Sequence, residues 1–211
     1  MEITMKKYIL LVLCLILSSF VVSGCGSSDE PWEEKSYTPD MQIHEINIDV
    51  RDREIEVSLS DDDQIHIMYY ENSKEYYDIS VSDNAVLSMT SESNKEWTDF
   101  IGGKPAAENR KIRLQVPDTL VENLTLSTTN EKVTLSSVSI NGTTCITSNG
   151  GDIAFESLHI GSDLTLDVKN GDISGTLVGD YDDFSIRSEI KKGRKQFTGK
   201  YRGRRKNANG I

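Results

Sequence analysis

Long apolar runs, paired cysteines, histidines and basic residues are all scarce in this 211-residue chain, and each shortage excludes something. The uncharged apolar stretch near the start, Tyr8–Val22, has 15 residues. A membrane-spanning helix needs about 20. Two of the three cysteines, Cys14 and Cys25, lie at the N-terminal end, which leaves Cys145 alone. A mature domain with one remaining thiol has no internal disulfide, so its core and backbone ladder must stabilise it. Cys145 sits between Thr144 and Ile146 in a strand-like run and reads as a small side chain within a sheet. Lys and Arg number 23 against 34 Asp and Glu, for a net charge of −11. That balance argues against a nucleic-acid partner, which would call for a basic face. No amphipathic helix of useful length is present.

What is present begins with a leader. Met5-Lys6-Lys7, the apolar stretch and then Val22-Ser23-Gly24-Cys25 follow the order of a secretory signal: basic start, short apolar core, small residues at the cut. Here the small residues stop at a cysteine, and the pattern resembles a bacterial lipoprotein lipobox. The resemblance implies cleavage before Cys25 and a lipid thioether on its sulfur. It places the protein outside the cytoplasm, held to the membrane by that lipid. The alternative is a short uncleaved anchor, which the length argues against. Met5 is the more natural start, since Glu2 is out of place in a basic leader. Residues 1–24 are therefore expected to be a signal peptide. Residues 25–40, rich in small and acidic residues and punctuated by proline, are expected to be a flexible tether.

From residue 41 the chain reads as strand after strand. Ile46, Ile48 and Val50, then Ile55, Val57 and Leu59, then Ile65, Ile67 and Tyr69 alternate with polar residues. Ile79 with Val81, Leu87 with Met89, and Ile112, Leu114 and Val116 continue the period of two, the mark of half-buried strands. Residues 91–110 form a long loop holding Trp97 and Phe100. The second half repeats with a longer, fixed period, of the kind that marks stacked coils. Asp152-Ile153 recurs as Asp172-Ile173, each after an Asn-Gly corner, with Lys132-Val133 one period earlier. Four further columns keep that period: Leu126, Ile146, Leu166 and Ile186; Leu120, Ile140 and Ile160; Val138, Leu158 and Val178; and Leu124 with Leu164 and Phe184, broken by Thr144. Leu135 and Phe155 form another, broken at Gly175. The inward pairs change parity within a period, so three short strands with two bends close one coil. The expected fold is all-β: a right-handed parallel β-solenoid of about 20 residues and three short strands per coil, preceded by β-hairpin or meander strands.

The leader, the N-terminal strands, Val116-Pro117-Asp118 and the Ser-Asn-Gly-Gly-Asp-Ile and Lys-Asn-Gly-Asp-Ile repeats together resemble the adhesin-type DUF4097 family. The resemblance covers residues 41–190, the expected domain. It implies a cell-envelope location and an adhesin-like role, and it carries over no catalytic residue. The chain departs from the family at its end. Beyond Ile190 each inward register position is glycine or polar, and residues 191–211 hold nine Lys or Arg and no acid. The tail is expected to be disordered, either as a genuine basic tail or as a truncated or frameshifted end. Charge could bring it to anionic lipid or teichoic polymer.

Candidate chemistry is thin. Asp152 and Asp172 stack in register and Asp61-Asp62-Asp63 clusters acids. Calcium wants six to eight oxygens in one place, whereas corner aspartates ordinarily cap turns. No metal and no cofactor is therefore expected. His44, His66 and His159 are isolated, and no nucleophile, base and orienter can be grouped, so no catalytic residue is assigned. Three readings follow. The first is a non-catalytic envelope lipoprotein presenting a polar surface to an unknown surface ligand. The second is an accessory of an envelope-stress response touching a membrane protein. The third is a polysaccharide-acting solenoid enzyme. Trp97 and Phe100 are the expected contact anchors for a partner; the alternative is that they fold back to plug an end of the core.

Overall fold

The computed structural model describes residues 30–100, 104–118, 121–180 and 184–185. Cys25, Ile186 and the 191–211 tail lie outside the described residues, as does the Phe100 side chain. Fourteen strands are described: β1 (Glu33–Tyr37), β2 (Glu45–Asp49), β3 (Glu54–Leu59), β4 (His66–Glu71), β5 (Glu75–Val81), β6 (Val86–Ser93), β7 (Lys111–Val116), β8 (Asn123–Thr128), β9 (Val133–Ser136), β10 (Ser139–Ile140), β11 (Thr144–Ser148), β12 (Ile153–Ile160), β13 (Leu164–Val168) and β14 (Ile173–Leu177). Two short 3-10 turns, Trp97–Phe100 and Glu108–Arg110, are the helical elements among the described residues.

The strands form two sheets whose inner faces share one core. The eight-stranded sheet runs β1-β4-β7-β3-β9-β12-β10, with β14 on β12; the six-stranded sheet runs β13-β11-β8-β2-β6-β5. The repeat register holds in both. Ile153 lies opposite Val133 and Ile173, and Ile146 opposite Leu126 and Leu166. Parallel strands at this offset place like residues above like, so each inward column packs on itself. Ile153, Val133, Ile146 and Leu126 are fully buried. Ser137 and Ser157, one period apart, both take left-handed backbone, with φ 48° and 47°. They make the second bend of successive coils, and the Ser137 amide donates to the Glu156 carbonyl at 2.7 Å.

Corners are closed by buried hydroxyls. Thr128 Oγ1 donates to the Arg53 carbonyl at 2.7 Å, and Ser148, stacked on Thr128, accepts from the Gly151 amide at 2.9 Å. A Cβ on Gly151 would fall 1.9 Å from the Glu131 carbonyl oxygen, so only glycine fits where one coil crosses the last.

Three expectations need correction. Four of the first-half strands do not precede the stack: β2, β3, β6 and β7 are parallel members of it, while β5 and β6 do form an antiparallel hairpin. Asn123 lies opposite Glu45 and Val133 opposite Ile55, so both sheets join the two halves of the chain at one shared offset. On its other side β2 pairs with β6, and β3 with β7. The coil formed first in sequence is therefore central, with neighbours on both sides. Among the described strands, the antiparallel pairs are β1 with β4, β4 with β7, and β5 with β6. Second, the tether expected over 25–40 is interrupted, because Glu33–Tyr37 is a strand on β4. Tyr37 lies opposite Ile67 and packs on the core, and Pro39 is buried. Apolar contact at the end of the segment is enough to order it despite its acidic start. Third, Val178 leaves its column. A register shift between Phe155 and Leu158 places Leu177 opposite Leu158, and Val178 is 48% exposed.

Candidate functional site

The six-stranded sheet has an unusual outer face. None of its strands contains a lysine or arginine. Strand alternation turns the apolar residues inward and leaves hydroxyls, amides and carboxylates outside. Register aligns these into rows that cross the whole sheet. One row reads Asp78, Thr90, Asp49, Ser127, Thr147, Asp167, and the next Ser80, Ser88, Asn47, Thr125, Cys145, Thr165. With strands about 4.8 Å apart, each row is about 24 Å long. Among the described residues, none of Glu45, Asp49, Asp78, Glu92 or Asp167 has an ion-pair partner.

The opposite face is arranged differently. Lys111 reaches Glu56 at 2.8 Å, Arg113 contacts Glu108 and Glu56, and Lys132 approaches Glu54 at 3.8 Å. Tyr70 donates to Glu34 at 2.9 Å. Its central acids Glu54 and Glu56 are paired with cations, while Glu71 and Glu156, on β4 and β12, have no ion-pair partner among the described residues; the six-stranded face offers acceptors and hydroxyls with no cation among them.

A second group sits at the β2–β3 corner. Arg53 is 4% exposed. Its Nε donates to Tyr77 Oη at 2.6 Å and its Nη2 to Glu75 Oε2 at 2.7 Å. Its guanidinium also lies over the Trp32 ring, 5.6 Å from the centroid. Burial alone would lower the Arg53 pKa, but Tyr77 and Glu75 outweigh it and hold the pKa above its ordinary value. Burial pushes the Glu75 carboxyl up; hydrogen bonds and charge from Lys95 and Arg53 reverse this and hold it below the usual range. A buried guanidinium with every direction occupied has little left for a ligand, so the cluster fastens the segment before β1 to the corner. Beside it lies an acidic cleft of about 570 Å³ lined by Glu30, Glu33, Glu71, Ser73 and Tyr76 among others.

The structure also groups residues that spacing kept apart. Thr38 Oγ1 lies 2.9 Å from His66 Nδ1, and His66 Nε2 lies 3.0 and 3.1 Å from the two Asp62 carboxylate oxygens. Hydroxyl, imidazole and carboxylate stand in triad order. Asp62, however, also accepts from the Gln64 amide and the Ser60 hydroxyl, both at 2.9 Å. Chiefly the Gln64 amide, with His66 and Ser60, keeps its carboxyl below the ordinary value. The arrangement joins the end of β1 to the β3–β4 turn. His44 lies 3.9 Å from Glu122, and His159 is exposed on the outer side.

Trp97 is 77% exposed in its 3-10 turn, so it does not plug the core. Its loop is fastened at both ends: Lys74 holds Asp99 at 2.5 Å, and Lys104 and Arg110 converge on Glu131. Asp152 accepts the Asp172 amide at 2.9 Å, so the stacked aspartates cap a corner. No set of three or more metal-ligating side chains occurs among the described residues. No described helix is long and apolar enough to cross a membrane. Sequence reasoning missed the cation-free face because its rows join strands far apart in the chain. The one available signal was the lack of Lys and Arg from those six segments.

Comparison with known proteins gives a family model and a set of solved structures. The Toastrack DUF4097 model matches residues 43–178. A candidate cell-adhesion protein from Clostridium sporogenes is similar at 10% identity over 70% of this chain and 99% of its own, with a TM-score of 0.38. A candidate adhesin from Parabacteroides distasonis is similar at 14% identity over 71% of this chain and 70% of its own, with a TM-score of 0.34. No curated protein matches.

Proposed function

Because the chain belongs to the Toastrack DUF4097 family, we propose that it is a non-catalytic cell-envelope lipoprotein that binds a surface ligand through the outer face of its six-stranded sheet. The observation that carries this reading is the asymmetry of the two faces: one has cations paired with its central carboxylates, the other presents rows of hydroxyls and carboxylates without a cation. On this reading the coils wind right-handed, as parallel crossovers nearly always do, with three short strands each. Cleavage before Cys25 and a lipid on its sulfur hold the domain outside the cell membrane.

A second reading, an accessory that touches a membrane protein, is favoured by one observation. Trp97 stands 77% exposed on a loop that ion pairs hold in place, as a contact anchor requires. Hydrolysis is the least supported. The Thr38–His66–Asp62 chain has the order of a triad, but its carboxylate is shared with a turn amide and a serine.

Two measurements test the proposal. Mass spectrometry of the membrane fraction should find a diacylglyceryl adduct on an N-terminal Cys25, and Cys25→Ala should release the protein or leave the precursor. A mature N-terminus elsewhere would remove the anchor. Incubation with cell-wall and acidic polysaccharides should give no cleavage; activity abolished by Asp62→Asn would replace adhesion with catalysis.

A further inference from the structure

We propose that the basic C-terminal segment, residues 191–211, docks on the outer face of the six-stranded sheet and is the resident occupant of its acidic row. The argument starts from charge. Residues 191–211 hold nine Lys or Arg and no acid, while the residues between Cys25 and Ile190 carry −21. A cationic segment joined to so acidic a body meets its own surface at an effective concentration in the millimolar range, so weak ionic contacts suffice.

The structure then selects the face. On the eight-stranded sheet Glu54 and Glu56 already face Lys132, Lys111 and Arg113, and a tail would have to displace those partners; Glu71 and Glu156, which have no ion-pair partner among the described residues, stand on β4 and β12 with three strands between them and form no row. On the six-stranded sheet Asp78, Asp49 and Asp167 stand in one row with only Thr and Ser between them. None has an ion-pair partner among the described residues. Geometry permits the contact. β13 and β14 are the last described strands before the tail in sequence, and among the described strands β13 lies at the edge of this face. The row is about 24 Å across, whereas the segment 191–211, fully extended, reaches about 70 Å. The tail has no large apolar residue at the inward register positions, so its contact with the domain is electrostatic and superficial. The inference does not depend on what else the face binds. Being ionic, the contact weakens as salt rises.

The test uses the full mature chain with Cys25→Ser and Cys145→Ser, and a nitroxide spin label on Asn207→Cys, a neutral position in the tail. At about 0.01 M salt, where the screening length is about 30 Å, the amides of Thr125, Thr147 and Thr165 should lose most of their NMR intensity to paramagnetic broadening; at about 1 M, where it is about 3 Å, they should regain it. Asp49→Asn/Asp78→Asn/Asp167→Asn should abolish the broadening at low salt, and Glu54→Gln/Glu56→Gln should leave it unchanged. Absence of broadening at low salt overturns the proposal, as does broadening centred on the eight-stranded sheet. So does transfer of the effect to an unlabelled copy in a mixed sample, which would make the contact intermolecular. If anionic vesicles remove the broadening at low salt while unlabelled polyglutamate does not, the tail belongs to the lipid surface and the proposal fails.

Discussion

Thr144 is a polar residue in an apolar column, and replacing it should stabilise the protein. Its register neighbours are Leu124 and Leu164, it is fully buried, and its hydroxyl has no hydrogen-bond partner among the described residues. A buried hydroxyl without a partner costs about 1–3 kcal/mol. Thr144→Val keeps the volume and the β-branched rotamer preference while removing the hydroxyl. The gain should be about 1 kcal/mol, since some relaxation already relieves the native site. For a domain of this size that is a rise in Tm of about 2–4 °C. Urea unfolding gives the cleaner measure, because the midpoint should rise with the slope unchanged. Thr144→Ser provides the contrast: it keeps the orphan hydroxyl, deletes a packed methyl and should cost about 1 kcal/mol. If Thr144→Val instead destabilises by that amount, the hydroxyl has a partner, and the reasoning about the column is wrong.

Other substitutions separate core from face. Ile153→Asp buries a charge between Val133 and Ile173 and should cost several kcal/mol, whereas Thr147→Asp, on the outer row, should change stability by less than about 0.5 kcal/mol; equal thermal shifts would refute the register. Gly175→Ala places a Cβ 2.3 Å from the Phe155 ring, which must swing away, so a loss of about 1–3 kcal/mol is expected by chemical denaturation. Phe155→Leu should recover part of that loss. Glu75 titrates below the ordinary carboxylate range, so its stabilising effect is complete above the unfolded value of about 4.3 and disappears as pH falls through the lower folded value. The stability difference between wild type and Glu75→Gln should therefore be constant near neutrality and shrink below about pH 4.3; a difference that grows on acidification would reverse the sign.

The stack was legible where the chain repeats at short, fixed spacing. Val133, Ile153 and Ile173 announce their contact, because adjacent coils there differ by one constant period and the same side-chain type recurs. The first half gave no such signal. Ile46 meets Leu87 and Leu124, and Ile55 meets Ile112 and Val133, at separations that differ because the β4–β5 excursion and the 91–110 loop intervene. Alternation identified these segments as strands, but alternation cannot say whether a strand pairs parallel or antiparallel. The polar rows were hidden for the same reason. Asp78, Asp49 and Asp167 become neighbours in one row only once three distant parts of the chain are stacked. Burial of Arg53 was also out of reach, since nothing near it in sequence shows that Tyr77 and Glu75 come to meet it.

The most direct measurement is a matched comparison of the two faces. The protein, immobilised on beads through its N-terminal end, is assayed for retention on isolated cell walls, immobilised glycans and extracellular-matrix proteins. Thr125→Lys/Thr147→Lys places two cations on the six-stranded face, and Thr134→Lys/Ser174→Lys places two on the eight-stranded face; all four positions point outward. Retention on whichever surface holds the wild type should be lost with the first pair and kept with the second. Retention kept with the first pair, or lost equally with both, would contradict a binding role for the cation-free face.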